Sequence, residues 1–288
     1  MVLRCYPGAL RPERLRAVRA RAEFCSMASN TQLSNGLRAS QDLLRNACVV
    51  TPTYNERGNI TKLIELIGEA CNSTEFRMLV MDDGSPDGTA DAVDEMRSRY
   101  PNVRAIRRKG DRGYGKAVVD GILEALDMGV EFIVCMDADL QHSPEIVPEM
   151  LAAARDYDLV IGSRYMSGSA TVADWPVHRL VMSRMANFYL HVMTWARVDD
   201  ATSGFRCWRT SFIRRFPLRN LQAGGFAFLY ETLFYAGLNK ARIKEVQNFH
   251  RGRTYGESKM NGRIIIESLW VPFRLRMGHM LGRHKPAE

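Results

Sequence analysis

The sequence predicts an α/β fold: a mostly parallel sheet with helices on both faces. Three observations point there. Short apolar runs recur at Ala47–Pro52, Arg77–Met81, Val103–Ile106, Phe132–Met136 and Leu159–Gly162. Stretches with apolar residues at helical spacing separate them, as at Ile60, Leu63, Ile64 and Ile67. The connections are rich in turn formers, as in DDGSPDG at 82–88. Continuous apolar strands alternating with amphipathic helices mark βαβ units, whose crossovers bury a parallel sheet on both sides.

The elements follow in order. The run ACVVTP is a first strand closed by its proline, and Asn59–Ala70 is a helix. Arg77–Met81 is the second strand; Asp87 or Gly88 then opens a helix through Ala92, Val93 and Met96. Val103–Ile106 is a weak third strand, and Ala117–Met128 a helix. Strands at Phe132–Met136 and Leu159–Gly162 carry this body to about residue 165. A mixed region follows, with helices near 176–195 and 227–238 and a strand near 242–249. Three parts are expected: a basic, flexible extension (1–44), the α/β domain (45–262) and an amphipathic C-terminal segment (263–288).

The chain has 288 residues, 46% hydrophobic and 25% charged, an ordinary globular composition with ample length for a large core. Its net charge of +8 is unevenly placed. Residues 1–26 carry net +4 and 250–288 net +5, whereas 27–249 carries net −1. The basic character belongs to the ends, which favours a specific anion site over general nucleic-acid binding. The first 26 residues read as a flexible basic arm, as a transit peptide opposed by Glu13 and Glu23, or as a leader before a start at Met27. No run approaches the roughly 20 apolar residues of a spanning helix; Met185–Ala196 is uncharged over only twelve. Six cysteines (5, 25, 48, 71, 135 and 207) form no C-x-x-C pair and read as reduced thiols of a cytosolic protein.

In an open parallel sheet, ligands bind beyond the carboxyl ends of the strands. The residues delivered there are Pro52, Tyr54, Asn55 and Glu56, then Asp82 and Asp83, then Asp137, Asp139, Gln141 and His142, then Arg164 and Tyr165. Asp137 and Asp139 flank one alanine, so in an extended segment both carboxylates project to one side. Two such acids repel unless a cation lies between them, and a hard Mg²⁺ or Mn²⁺ suits their oxygens. The plainer reading is helix capping before Ser143-Pro144-Glu145. Gly110–Ala117 misses the phosphate-loop pattern G-x-x-x-x-G-K-[ST] at its last position, where Ala117 has no hydroxyl. It remains a basic, glycine-rich turn suited to a place near a nucleotide.

At these residues the sequence resembles the GT-A fold glycosyltransferases of family 2, and among them the dolichol- or polyprenyl-phosphate mannosyltransferases. The matching segments are PTYNERGNI (52–60), DDGSPDGT (82–89), DADLQH (137–142), GSRY (162–165), WPVHRLVMSRMAN (175–187), TSGFRCWR (202–209) and YGESKMNG (255–262). The resemblance implies that Pro52, Tyr54, Glu56 and Asp83 hold the donor's base and ribose, with Asp137 and Ala138 near the sugar nucleotide. It implies that Asp139 and Gln141 bind the metal, and that Arg164, Arg179 and Ser183 meet an acceptor phosphate. Arg253 and Lys259 would contact the donor diphosphate. Asp137, Asp139 and Arg164 are thus the catalytic candidates.

The implied reaction transfers mannose from GDP-mannose to a polyprenyl phosphate with inversion. The acceptor phosphate is already anionic near neutral pH and needs no general base. Two departures, Gly252 where the family carries an acid and Leu229 where it carries Gln, keep open a hexosyltransferase using UDP-glucose, another donor or another acceptor. The segment 263–281 sets Trp270, Phe273 and several Ile, Leu and Met residues beside Arg263, Arg274 and Arg276. That pattern suits a helix in a membrane interface as well as one packed on the sheet and broken near Pro272. A cytoplasmic protein, peripheral on the cytosolic face of a membrane, is expected, with a membrane-protein partner as a further option.

Overall fold

The computed structural model describes residues 42–166, 169–170, 177–221, 225–248 and 262–284, without the side chains of 166, 169–170, 177–179 and 262–265. Nearly all of the N-terminal extension, and Arg253 and Lys259, lie outside the described residues.

Seven strands form the main sheet in the order β3-β2-β1-β4-β8-β5-β9. These are β1 (Ala47–Thr53), β2 (Arg77–Asp82), β3 (Val103–Arg107), β4 (Phe132–Cys135), β5 (Leu159–Ser163), β8 (Arg206–Arg209) and β9 (Ile243–Gln247). A two-stranded ribbon, β6 (Tyr165–Met166) with β7 (Ser169–Ala170), stands apart. Helices α1 (Arg57–Ala70), α2 (Thr89–Met96), α3 (Tyr114–Asp127) and α4 (Val147–Ala153) link the first five strands. Helices α5 (Val177–Thr194), α6 (Thr210–Ile213), α7 (Ala227–Leu238) and α8 (Gly262–Met280) follow.

The sheet's period of two divides the core. Cys48, Val50, Leu79, Met81, Ile133 and Trp208 face one cluster with α3 and α7, while Val49, Met78, Val80, Val134 and Cys207 face another with α1. Ile60, Leu63, Ile64 and Ile67 of α1 are fully buried in the second cluster. Each such side chain contributes about 1.5–3 kcal/mol. On the other face α3 lies so close to β1 that a Cβ on Gly121 would stand 2.4 Å from Val50 Cγ1.

Three sequence expectations need correction. The first strand does not end at Pro52 but runs to Thr53. Val50 O accepts from Met136 N, so Pro52, two residues on, faces the same side, where pairing with β4 has already stopped at Val50 and Cys135. Second, β8 is a strand that RCWR, with two apolar residues between two arginines, does not announce. It runs antiparallel between β4 and β5, so the loop before it arrives at their carboxyl ends. Third, α8 is not broken near Pro272. Pro272 withholds the N–H that Ser268 O would accept, yet the helix continues; at the next carbonyl, Leu269 O, it is tied to Tyr189 Oη at 2.6 Å.

The four described cysteines are buried and free. Burial pushes the thiols of Cys48 and Cys135 up to about 12, which keeps them inert near neutral pH.

Candidate active site

Beyond β1 and β2 two turns are laced together. Asn55, at a left-handed φ of 58° that asparagine tolerates, donates its N–H to Ser85 Oγ at 3.0 Å. Glu56 N donates to Thr89 Oγ1 at 3.0 Å, and Arg57 N to Asp87 Oδ2 at 3.1 Å. Asp82 is consumed by its own turn, accepting from Gly84 N and Ser85 N at 3.1 and 3.0 Å. Asp87 accepts Thr89 N at 3.0 Å at the start of α2. Burial works to raise its carboxyl, but the hydrogen bonds from Thr89 and Arg57 hold it below its ordinary value.

Asp83 takes the other path. Arg108 Nη1 donates to its Oδ1, and Gly113 N to Oδ2 at 2.9 Å. Each carboxylate oxygen has a second lone pair to offer a ligand. Tyr54 is 38% exposed, and the Arg112 guanidinium lies 5.2 Å from its ring centroid. Ring, acid and two arginines therefore line the edge formed by β3, β2 and β1. Pro52 is half-buried within it.

Asp137 follows β4 outside the strand and Ala138–Leu140 form a bend, so strand alternation does not set the directions of the Asp137 and Asp139 side chains. Leu140 turns the chain with a φ of 62°, and Gln141 N donates to Asp139 Oδ1 at 3.2 Å. Asp137 N donates to His142 Nδ1 at 3.1 Å, while the His142 ring stacks on Phe205 at 4.9 Å. The segment is pinned below by Ser143 N donating to Asn248 Oδ1 at 2.9 Å. Ala138 and Asp139 are buried. Burial drives the Tyr114 phenol well above its ordinary value, and the charge of Asp137 and a hydrogen bond to it add to the effect. Tyr114 thus remains a neutral donor beside the carboxylate. A Cβ on Gly204 would lie 2.6 Å from Tyr114 Oη, so that position needs glycine.

Two carboxylates and the Gln141 amide make a hard oxygen donor set. Among the described residues no group of three or more His, Cys, Asp or Glu forms a closed cage. That composition fits Mg²⁺ or Mn²⁺ held by one or two carboxylates and completed by water and substrate phosphates, and does not fit structural zinc.

On the far side of β4, Arg164 leaves β5. Its Nε and Nη2 donate to the two oxygens of Asp200 at 2.8 and 2.7 Å, and Nη2 also to Thr202 Oγ1 at 2.6 Å. Their side chains are 15% and 0% exposed. Burial alone would lower Arg164 and raise Asp200, but their mutual attraction reverses both: Arg164 is raised and Asp200 lowered.

The Asp200 loop is itself held on all sides. Glu245 accepts Asp199 N and Asp200 N at 2.8 and 3.0 Å, and Asn187 Oδ1 accepts Ala201 N at 3.0 Å. Arg206, fully buried, donates to the carbonyls of Ala201, Ser203 and Leu229 and to Thr232 Oγ1. Burial pulls its guanidinium down to about 10. Tyr165 Oη donates to Ser183 Oγ at 2.6 Å. Arg179 lies four residues earlier on the same helix, hence on the same face, with its side chain outside the description.

Strand order brings Tyr54, Glu56, Asp83, Asp137 and Asp139 onto adjoining strand ends, with Arg164 and Ser183 beyond β8. Arg108, Arg112, Tyr114 and Asp200 were missed from sequence. Arg108 precedes the near-miss glycine turn and Arg112 and Tyr114 lie within it, which was the available signal. Asp200 had none, being 36 residues from its partner. Leu229 belongs to the core, and its carbonyl accepts from Arg206 Nη1 at 2.8 Å.

An α/β sheet with acids gathered at its carboxyl edge is the GT-A arrangement of a glycosyltransferase. Residues 48–221 match the model for "Glycosyl transferase family 2", and the chain belongs to that family. It is 33% identical over 240 residues to an undecaprenyl-phosphate mannosyltransferase of Micrococcus luteus, covering 80% of this chain and 98% of the relative. It is 36% identical over 224 residues to a polyprenol monophosphomannose synthase of Mycolicibacterium smegmatis, covering 77% and 83%. A dolichol-phosphate mannosyltransferase of Saccharomyces cerevisiae is 34% identical over 229 residues, with the same 77% and 83% coverage. Among solved structures, glucosyl-3-phosphoglycerate synthase from Mycobacterium tuberculosis with Mn²⁺, UDP and glucosyl-3-phosphoglycerate superposes with a TM-score of 0.56. That match covers 86% of this chain and 82% of the other at 20% identity, a likeness of fold.

Proposed function

We propose that the protein transfers mannose from GDP-mannose to a polyprenyl (dolichyl) phosphate, giving polyprenyl β-mannosyl phosphate. The observation that carries this reading is the order of the strand ends. Tyr54, Glu56 and Asp83 lie on one side of Asp137 and Asp139; Arg164 and Ser183 lie on the other, where an apolar helix face begins. The names of the relatives support the mannosyl donor and the lipid-phosphate acceptor. The Mn²⁺ in the structural neighbour supports a divalent ion.

In this reading Pro52, Tyr54, Glu56 and Asp83 hold the guanosine, and Asp137 and Ala138 orient the sugar. Asp139 and Gln141 are the residues that would hold Mg²⁺ or Mn²⁺. When bound, the ion neutralises the departing diphosphate. Arg253 and Lys259 meet the same diphosphate. Arg164, Arg179 and Ser183 position the acceptor phosphate. One of its oxygens attacks the anomeric carbon as the bond to GDP breaks on the opposite face, and the electron pair leaves with GDP. No proton must be removed. Because Asp200 offsets its charge and fixes its fork, Arg164 acts as a directional donor more than as a net positive charge.

The acceptor requires a membrane. Val181, Met182, Met185, Phe188 and Val192 of α5 and Ile266, Leu269, Trp270, Phe273 and Met277 of α8 are exposed large apolar residues. Tyr189 ties the two helices together. Helix α5 holds two arginines, Arg179 and Arg184, and no acid. This combination suits peripheral binding to an anionic cytosolic leaflet. Among the described residues no helix is long and apolar enough to cross a membrane.

A donor panel of labelled GDP-mannose, UDP-glucose and UDP-GlcNAc with polyprenyl phosphate tests the reaction. Transfer from GDP-mannose alone is expected; preference for UDP-glucose would replace the reading with the hexosyltransferase alternative. Vesicle flotation with and without residues 263–288 tests the membrane role, and identical flotation would remove that segment from it.

A further inference from the structure

At the opposite edge of the sheet from Asp137, a cavity of about 620 Å³ is lined by Trp195, Arg197, Leu238, Lys240, Ile243 and His279, among others. Ile243 opens β9 and pairs with Leu159 at the start of β5, which sets the cavity at strand amino ends. Its lining holds Arg, Lys and His and no acid. Over Trp195 lies Arg276, with its guanidinium carbon 3.4 Å from the ring centroid. Nη1 of Arg276 is buried and has no hydrogen-bond partner among the described residues. Buried donors are nearly always paired, so an orphan of this kind marks a missing acceptor.

No described carboxylate pairs with Arg197, Lys240 or Arg276. The local excess of positive charge is felt nearby. Burial first, then Arg274, His279 and Arg283, hold the His284 imidazole below its ordinary value. His279 Nδ1 meets the His284 carbonyl at 2.6 Å, and its ring stands edge-on to Trp195 at 5.2 Å.

We propose that this cavity binds a phosphate group, with Arg197 and Lys240 of its lining as donors, Trp195 as an apolar wall, and Arg276, stacked on Trp195, as the neighbouring cation. The aliphatic lining from Leu238 and Ile243 suits a phosphate that carries a hydrocarbon portion. Two sources share this chemistry: an anionic lipid headgroup and free inorganic phosphate. The cavity is separate from the transfer site, so binding, not turnover, reads it.

The test uses the full chain. Inorganic phosphate is titrated calorimetrically, and binding is compared between phosphatidylcholine vesicles with and without phosphatidylglycerol. Both measurements are repeated on Arg276→Gln and on the exposed double variant Arg197→Gln/Lys240→Gln. Losing a charge-assisted contact is expected to weaken binding roughly tenfold or more, with turnover of a short-chain acceptor in detergent unchanged. Saturable phosphate binding without lipid dependence assigns the free ion; phosphatidylglycerol dependence lost in the variants assigns the lipid. Absence of both, or binding that both variants leave intact, overturns the site.

Discussion

The two halves of the site hold their charges in opposite ways. On the β1–β3 edge, Asp82 and Asp87 are fastened by N–H groups of neighbouring residues, and Tyr54 stands in solvent under Arg112. On the β5 edge, Arg164 and Asp200 neutralise each other inside the protein, and a loop fixed by Glu245, Asn187 and Arg206 sets their geometry. The first half is a set of local turns; the second depends on the whole tertiary structure. Changes in the first half should therefore cost binding and little stability, and changes in the second half both.

The largest expected effect lies between the halves. Asp139→Ala should lower turnover by about 10²–10³-fold or more, as removal of a key electrostatic group does, with the circular dichroism spectrum unchanged. Retained activity would remove the metal role. Asp200→Ala comes next: it leaves Arg164 buried without its counter-ion and should cost about 3–5 kcal/mol in urea unfolding. A loss no larger than that of an exposed substitution would mean that the second half is less coupled than described. Gly204→Ala forces Tyr114 away from Asp137. It should cost about 1–3 kcal/mol and reduce turnover, whereas Gly204→Ala with normal activity would sever Tyr114 from the site.

Tyr54→Ala should raise the donor KM severalfold, through loss of a contact worth about 0.5–1.5 kcal/mol, while unfolding shifts by less than about 0.5 kcal/mol. The smallest effect is in acid. Because the Asp200 carboxyl is held below its ordinary value in the folded state, its contribution is complete above the unfolded value of about 3.9 and is lost as pH falls from there toward the folded one. Asp200→Asn should accordingly lose stability less steeply below about pH 4 than the parent chain.

Most of the fold was legible because its βαβ units write period and turn chemistry into contiguous residues. Asp83, Asp137 and Asp139 were legible for the same reason, since each follows an apolar strand directly. What was hidden is non-local. β8 has too little apolar sequence to be seen alone, and becomes a strand only because β4 and β5 present open edges on either side of it. Asp200 lies in a loop with no pattern of its own. Arg206 reads as a surface residue by type and is instead fully buried, paired with carbonyls and a hydroxyl supplied by α7 and by its own loop. The bend at Ala138–Leu140 has no apolar signal either, and the strand before it ends at Cys135, one residue sooner than its apolar run suggests.

The division of labour is tested most directly by crossed binding on two variants. GDP affinity and polyprenyl-phosphate KM are measured for Tyr54→Ala and for Arg164→Lys, which keeps a charge against Asp200 but loses the fork. Tyr54→Ala is predicted to weaken GDP alone, and Arg164→Lys to raise the acceptor KM alone. If each variant impaired both ligands equally, the site would not be divided into a donor half and an acceptor half.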